Sequence, residues 1–312
     1  MRRGVVLGAG GVLGAAWTVG ALKAVQEELG WDPRDAEVVV GTSAGSVMAA
    51  ALGCGLAVDE LLDHQLGLPD PRIQFDPDTD AGGALPPLPR PFVGSPRGLV
   101  SSALHPRRTT PMGAVAAALP RGRGSIEAVG RIVDGVLPEG GWAPHASTWI
   151  VAMDYATSRR TVFGRVGAPE AQLRDAVMAS CAIPGWYQPI KIGSHRYVDG
   201  GVCSPTSADL LAKLRLDEVL VLSPMTSMTY DRPDTVAGRI ERRFRRLATK
   251  RVLGEVKKVA AAGTAVRFLG PTAEDLAVIG ANMMDPRRRA EVLATSLRTS
   301  AAALRAGLAE SA

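Results

Sequence analysis

Twice within the first 54 residues, a short apolar run breaks at glycine and passes into a helical pattern. Residues 3–8, RGVVLG, read as a strand. Glycines 8, 10, 11 and 14 then form a loop, and AAWTVGALKAVQEEL at 15–29 reads as a helix that stops before Gly30. Residues 37–40 give a second strand and 44–54 a second helix. Two strand–turn–helix units in succession imply a parallel sheet with crossover helices. Such crossovers are right-handed, and sites in these sheets lie at the carboxyl ends of the strands.

The alternation continues. STWIVAM at 147–153 and DEVLVL at 217–222 read as strands, with 161–166 and 266–270 as two more and a hairpin pairing 188–192 with 195–198. Helical patterns fall near 112–119, 125–136, 170–181, 205–215, 235–262 and 286–310. Between 67 and 111 stand ten prolines, from Pro69 to Pro111, a density that reads as forbidding regular helix. That stretch is expected to be a mobile flap within one domain spanning 1–312, with a core at about 3–225 and a basic helical part at about 230–312. The reading is an α/β fold on a mostly parallel central sheet.

Composition narrows the classes. Apolar residues at 46% can fill a large core, while aromatics at 4% imply close packing of small side chains. Three cysteines, Cys54, Cys181 and Cys203, do not make a disulfide framework and point to a reducing, cytoplasmic setting. No C-x-x-C pair or histidine tract suggests a metal, and no cofactor is expected. Residues 4–22 after Met-Arg-Arg resemble a signal peptide, and 38–58 approach a membrane span in length. Both hold several glycines and split into strand, turn and helix, so buried units are the reading. Much of the +5 charge lies in RIERRFRRLATKRVLGEVKK at 239–258. That segment is either a solvated helix face or a peripheral contact with anionic lipid. Nucleic acid is not expected, because only Phe244 interleaves with the cluster and no base-reading motif appears.

Three pieces carry chemistry. The glycine loop Gly8-Ala9-Gly10-Gly11-Val12-Leu13-Gly14 gathers backbone N–H groups at a helix N-terminus, suited to a phosphate or an oxyanion. A dinucleotide site would want an acid at the end of the second strand, where Gly41-Thr42-Ser43 stand instead. The second piece is Gly41-Thr42-Ser43-Ala44-Gly45, a G-x-S-x-G turn between strand and helix that would expose a strained serine. The third is Asp199-Gly200-Gly201, by itself most often a turn, but a serine needs a base. If Asp199 reaches Ser43, its carboxylate can take the hydroxyl proton directly. A Ser–His–Asp alternative would use Asp154 and His195, although His195 reads as an exposed turn residue. Trp17, Trp186 and Tyr187 could line an acyl channel or simply pack in the core.

These motifs, with ASCAIPGWYQP at 179–189, resemble the patatin-like phospholipase family in order and spacing. The resemblance covers about residues 3–225. It implies a three-layer α/β/α fold and a lipid acyl hydrolase or esterase acting on carboxylic esters. It also implies Ser43 as nucleophile, Asp199 as base, and the N–H groups of Gly10 and Gly11 as the oxyanion hole. One departure is Leu13, where the family commonly has arginine or lysine. Two other classes stay open: a nucleotide-binding α/β protein that uses the glycine loop, and a non-catalytic lipid-surface binder.

Overall fold

The computed structural model describes residues 1–68, 72–73, 85, 87–88, 92–106, 109–145, 147–228 and 235–309. The chain begins β1 (Arg3–Leu7), α1 (Gly11–Leu29), β2 (Val38–Thr42), α2 (Ala44–Gly53), α3 (Val58–Gln65), α4 (Pro96–Leu104), α5 (Pro111–Ala118) and α6 (Glu127–Val136). It continues with β3 (Thr148–Asp154), β4 (Arg159–Phe163), α7 (Leu173–Cys181), β5 (Ile190–Ile192), β6 (His195–Asp199) and β7 (Glu218–Leu222). The last elements are α8 (Val236–Ala261), β8 (Ala265–Leu269), α9 (Ala273–Ile279) and α10 (Arg289–Ala309). The strands form one sheet in the order β5-β6-β3-β2-β1-β7-β8, with β4 also paired to β3. β3, β2, β1, β7 and β8 run parallel, β4 and β6 pair antiparallel with β3, and β5 pairs antiparallel with β6.

The central strands are apolar on both sides because helices cover both faces. Val5, Leu7, Val39, Ile150, Leu220 and Leu222 point into one core, with α1, α2, α7 and α10. Val6, Val38, Val40, Val151, Val219 and Val221 point into the other, against Leu211 and Val259. This strict alternation makes the three layers. Each fully buried valine or leucine contributes about 1.5–3 kcal/mol.

The scarcity of aromatics has its counterpart in the close approach of α1 and α10. A side chain at Gly20 would begin 2.8 Å from Ser296 Cβ, and the Ser296 hydroxyl donates to the Trp17 carbonyl at 2.6 Å. The residue at 20 must therefore be glycine for the two helices to meet.

The proline-rich stretch departs from expectation. Proline at the first helical position loses no hydrogen bond, and α4 opens there: Pro96 follows Ser95, whose hydroxyl accepts the Gly98 N–H at 3.1 Å. α5 repeats the device with Pro111 after Thr110. Much of the remainder of 67–111, on which the flap reading falls, lies outside the described residues. The short helices α3 and α9 are additions to the pattern expected from sequence, and residues 208–213 wind as a 3₁₀ helix. Among the described residues, no helix is long and apolar enough to cross a membrane.

Candidate active site

Ser43 follows the last residue of β2 and precedes the first of α2. Its backbone, φ 53° and ψ −126°, is strained for a residue with a side chain. The flanking glycines are demanded by space: a Cβ on Gly41 would sit 2.5 Å from the Gly45 carbonyl, and one on Gly45 would overlap the Leu7 carbonyl. The bend is pinned from outside. The Ser43 N–H donates to the Ser180 hydroxyl at 2.8 Å, which donates to the Val151 carbonyl at 2.6 Å. The Ser46 hydroxyl closes on the Ser43 carbonyl at 2.6 Å. Ser180 lies inside the segment 179–189, but its role is not visible there because the contact spans 137 residues.

The Ser43 hydroxyl donates to Asp199 Oδ2 at 2.7 Å. The other carboxylate oxygen accepts the Gly201 N–H at 2.7 Å, and the Asp199 N–H is fixed to the Ala182 carbonyl at 3.0 Å. Gly200 leaves no room for a side chain, since a Cβ there would overlap the Val151 carbonyl. Both serine and aspartate are only 6% exposed. Burial pushes the Asp199 carboxyl up to about 6, with the hydrogen bonds from Ser43 and Gly201 pulling it back.

The glycine loop faces this pair. The Gly8, Ala9 and Leu13 N–H groups are committed to the carbonyls of Leu222, Pro205 and Met283. Among the described residues, those of Gly10 and Gly11 meet no protein acceptor. Gly11 has φ +59°, and a Cβ there would lie 2.9 Å from Met284 Sδ. Gly14 packs against Met283 and Pro224. Leu13 is fully buried core, so no cation comes from that position. Arg245 of α8, 1% exposed, is instead the cation lining the cleft, where it donates to the Pro224 carbonyl at 2.6 Å and pairs with Glu241.

Ser43 lies between two spaces that share Gly11, Ile183 and Met284. One is a narrow apolar cavity of about 120 Å³, running inward past Val47, Ala51, Ile126, Ile132 and Tyr187. The other is a wider cleft bordered by Asp199, Met112, Ile240, Phe244 and Met283. Of the three aromatics considered as channel lining, Tyr187 lines the cavity, Trp17 is buried core and Trp186 packs against it. The cleft wall from 225 onward was not legible in sequence, because it depends on where α8 and the loop after α9 come to rest.

The histidine alternative does not assemble. His195 is at the start of β6 and contacts Asp154 at 2.7 Å. Four residues of strand, about 13 Å, separate it from Asp199. Cys181 borders the cavity and touches Ser46, but burial pushes its thiol up to about 12. Among the described residues, no three histidines, cysteines or carboxylates are arranged to hold a metal ion.

These features define an α/β protein with a serine–carboxylate pair at the carboxyl ends of β2 and β6, inside a mostly parallel sheet. A family model described as patatin-like phospholipase matches residues 5–212. The chain belongs to that family, and membership supports lipid hydrolase activity. Similar crystal structures include VipD from Legionella pneumophila, at 12% identity and TM-score 0.45, covering 98% of this chain and 67% of that one. The type III effector protein ExoU is similar at 16% identity and TM-score 0.38, covering 97% of this chain and 53% of that one. This chain thus spans about half the length of ExoU. Comparison with curated proteins finds no match.

Proposed function

We propose that the protein hydrolyses carboxylic esters of lipids through a serine–aspartate dyad. Asp199 accepts the Ser43 hydroxyl proton as the oxygen attacks the acyl carbonyl. The carbonyl oxygen takes negative charge against the Gly10 and Gly11 N–H groups, at the positive end of α1. Collapse of this intermediate breaks the ester bond. The proton held by Asp199 passes to the departing alcohol, leaving the acyl group on Ser43. Water then repeats the sequence and releases the acid.

The single observation carrying this reading is the 2.7 Å hydrogen bond from the Ser43 hydroxyl to Asp199. The raised carboxyl supports it, since a base is most effective with a pKa near working pH. The apolar cavity beside Ser43 suits one acyl chain, and the wider cleft suits the rest of the lipid. A nucleotide reading fares worse: the glycine loop shares its cleft with a buried carboxylate, which repels phosphate. The test is a panel of p-nitrophenyl esters of increasing chain length, run on wild type and Ser43→Ala. The expected result is turnover that rises and then falls with chain length and is lost in the variant. Turnover that survives the substitution contradicts the reading.

A further inference from the structure

The basic segment 239–258 is not one solvated face. Arg242 and Arg245 are buried, and Arg251 pairs with Glu255 at 3.0 Å. Glu255 in turn accepts from Thr206 and from the Ala208 N–H, and Val252 and Val259 are buried. α8 is therefore anchored along one side.

Its other side is apolar and open. Val236 is 71% exposed, Ile240 55%, Phe244 50% and Leu247 58%. At 3.6 residues per turn these four fall within about 80° of arc. Arg239, Arg243 and Lys250, all exposed, fall on the adjoining arc. Ile240 and Phe244 also form the lip of the cleft that holds Ser43. Met112, on the same cleft, begins a second exposed apolar row on α5 that continues at Val115. Two apolar rows thus flank one opening, with cations beside the longer row.

We infer that this face of α8, with the lip of α5, seats on an anionic lipid surface and opens the Ser43 cleft directly onto it. A helix with aliphatic and aromatic residues on one stripe and cations beside it lies in the plane of a membrane interface. The cations draw it to anionic headgroups, and the apolar row enters the acyl boundary. A lipid leaving the bilayer then passes from one apolar environment into another. The inference rests on the proposed ester chemistry only in giving the docking a purpose, so binding is read without turnover.

The experiment is sedimentation with vesicles of phosphatidylcholine alone and of phosphatidylcholine mixed with phosphatidylglycerol. Wild type is compared with Val236→Asp/Leu247→Asp and with Arg243→Gln/Lys250→Gln. None of these four positions borders the cleft, so hydrolysis of water-soluble p-nitrophenyl butyrate and the thermal transition should stay unchanged. Wild type should prefer the mixed vesicles. The glutamine pair should lose roughly 25-fold in partitioning, about fivefold per charge. The aspartate pair should lose at least about tenfold on both vesicle types. Wild type that binds neither vesicle, or variants that bind as wild type does, would overturn the inference. So would a wild-type dimer that ignores vesicles and falls apart in the aspartate pair, which would give the face to a second copy. If every form lacks ester hydrolysis while vesicle binding follows the stated pattern, the docking face stands and the catalytic reading falls.

Discussion

Thr42 and Asp199 occupy consecutive places along one edge of β3: Thr42 pairs with Val151, and Asp199 with the next residue, Ala152. β3 is a template on which a parallel strand ends and an antiparallel strand arrives head to head. Ser43, one residue beyond Thr42, therefore meets a carboxylate 156 residues away. The glycines after Asp199 let the antiparallel strand come in this close, because Gly200 lies against the Val151 carbonyl.

Ester hydrolysis should depend on pH through Asp199. The carboxyl is pushed up to about 6 by burial, and the base role proposed for it requires the ionised form. kcat/KM for a soluble ester should rise with pH through an inflection near 6 and level off above it. A profile flat from pH 5 to 8 would disagree.

The same burial has a stability consequence of opposite sense. A carboxyl raised in the folded state binds its proton more tightly there than in the unfolded chain, whose value is near 3.8. Stability is therefore greatest below that ordinary value and is lost as pH rises towards 6. The gap is worth on the order of 3 kcal/mol. Asp199→Asn removes the penalty, so its thermal transition should gain on wild type at pH 8 relative to pH 4. A constant difference between the two proteins across that range would show that the carboxyl is not raised.

Local chemistry was legible in the residues themselves. Gly41 and Gly45 around Ser43, Gly10 in the loop and Gly200 after Asp199 signal their conformations because only glycine fits so close to another backbone. Long-range relations were not. Ser180 supports Ser43 through one hydroxyl, and although the segment 179–189 stands out in the sequence, nothing in it ties that hydroxyl to a residue 137 positions away. α4 was hidden by prolines whose prohibition lapses at a helix's first turn, where Pro96 sits. The cleft lip at Ile240, Phe244 and Met283 comes from beyond the family match at 5–212, set by the packing of α8 and α9 and not by a motif.

Gly11→Ala should impair catalysis more than stability. The new methyl enters a left-handed backbone and meets Met284 Sδ, whose flexible side chain can shift, and the Met283 carbonyl oxygen at 3.0 Å, a backbone neighbour that pushes the loop off the aim proposed for its amides. Loss of one oxyanion donor costs about 10²–10³ in rate. kcat should fall by about that much with KM little changed. An unaltered kcat would remove Gly11 from the proposed oxyanion hole.

Ser180→Ala leaves the Ser43 N–H and the Val151 carbonyl buried without their partner. An unsatisfied buried group costs about 1–3 kcal/mol. Denaturant unfolding should show a loss of that size, with kcat reduced as the strained bend loosens. Ser180→Thr, which keeps the hydroxyl, should recover part of both. Equal losses in the two variants would point to volume and not to the hydrogen bonds.

The most direct measurement is labelling with a fluorophosphonate, followed by mass spectrometry of the modified peptide, on wild type and Asp199→Asn at pH 8. The expected outcome is an adduct on Ser43 that forms at least about 10²-fold more slowly in the asparagine variant, the scale of a positioned base. An adduct on any other residue, or labelling of Ser43 at the same rate without the Asp199 carboxylate, would contradict the dyad.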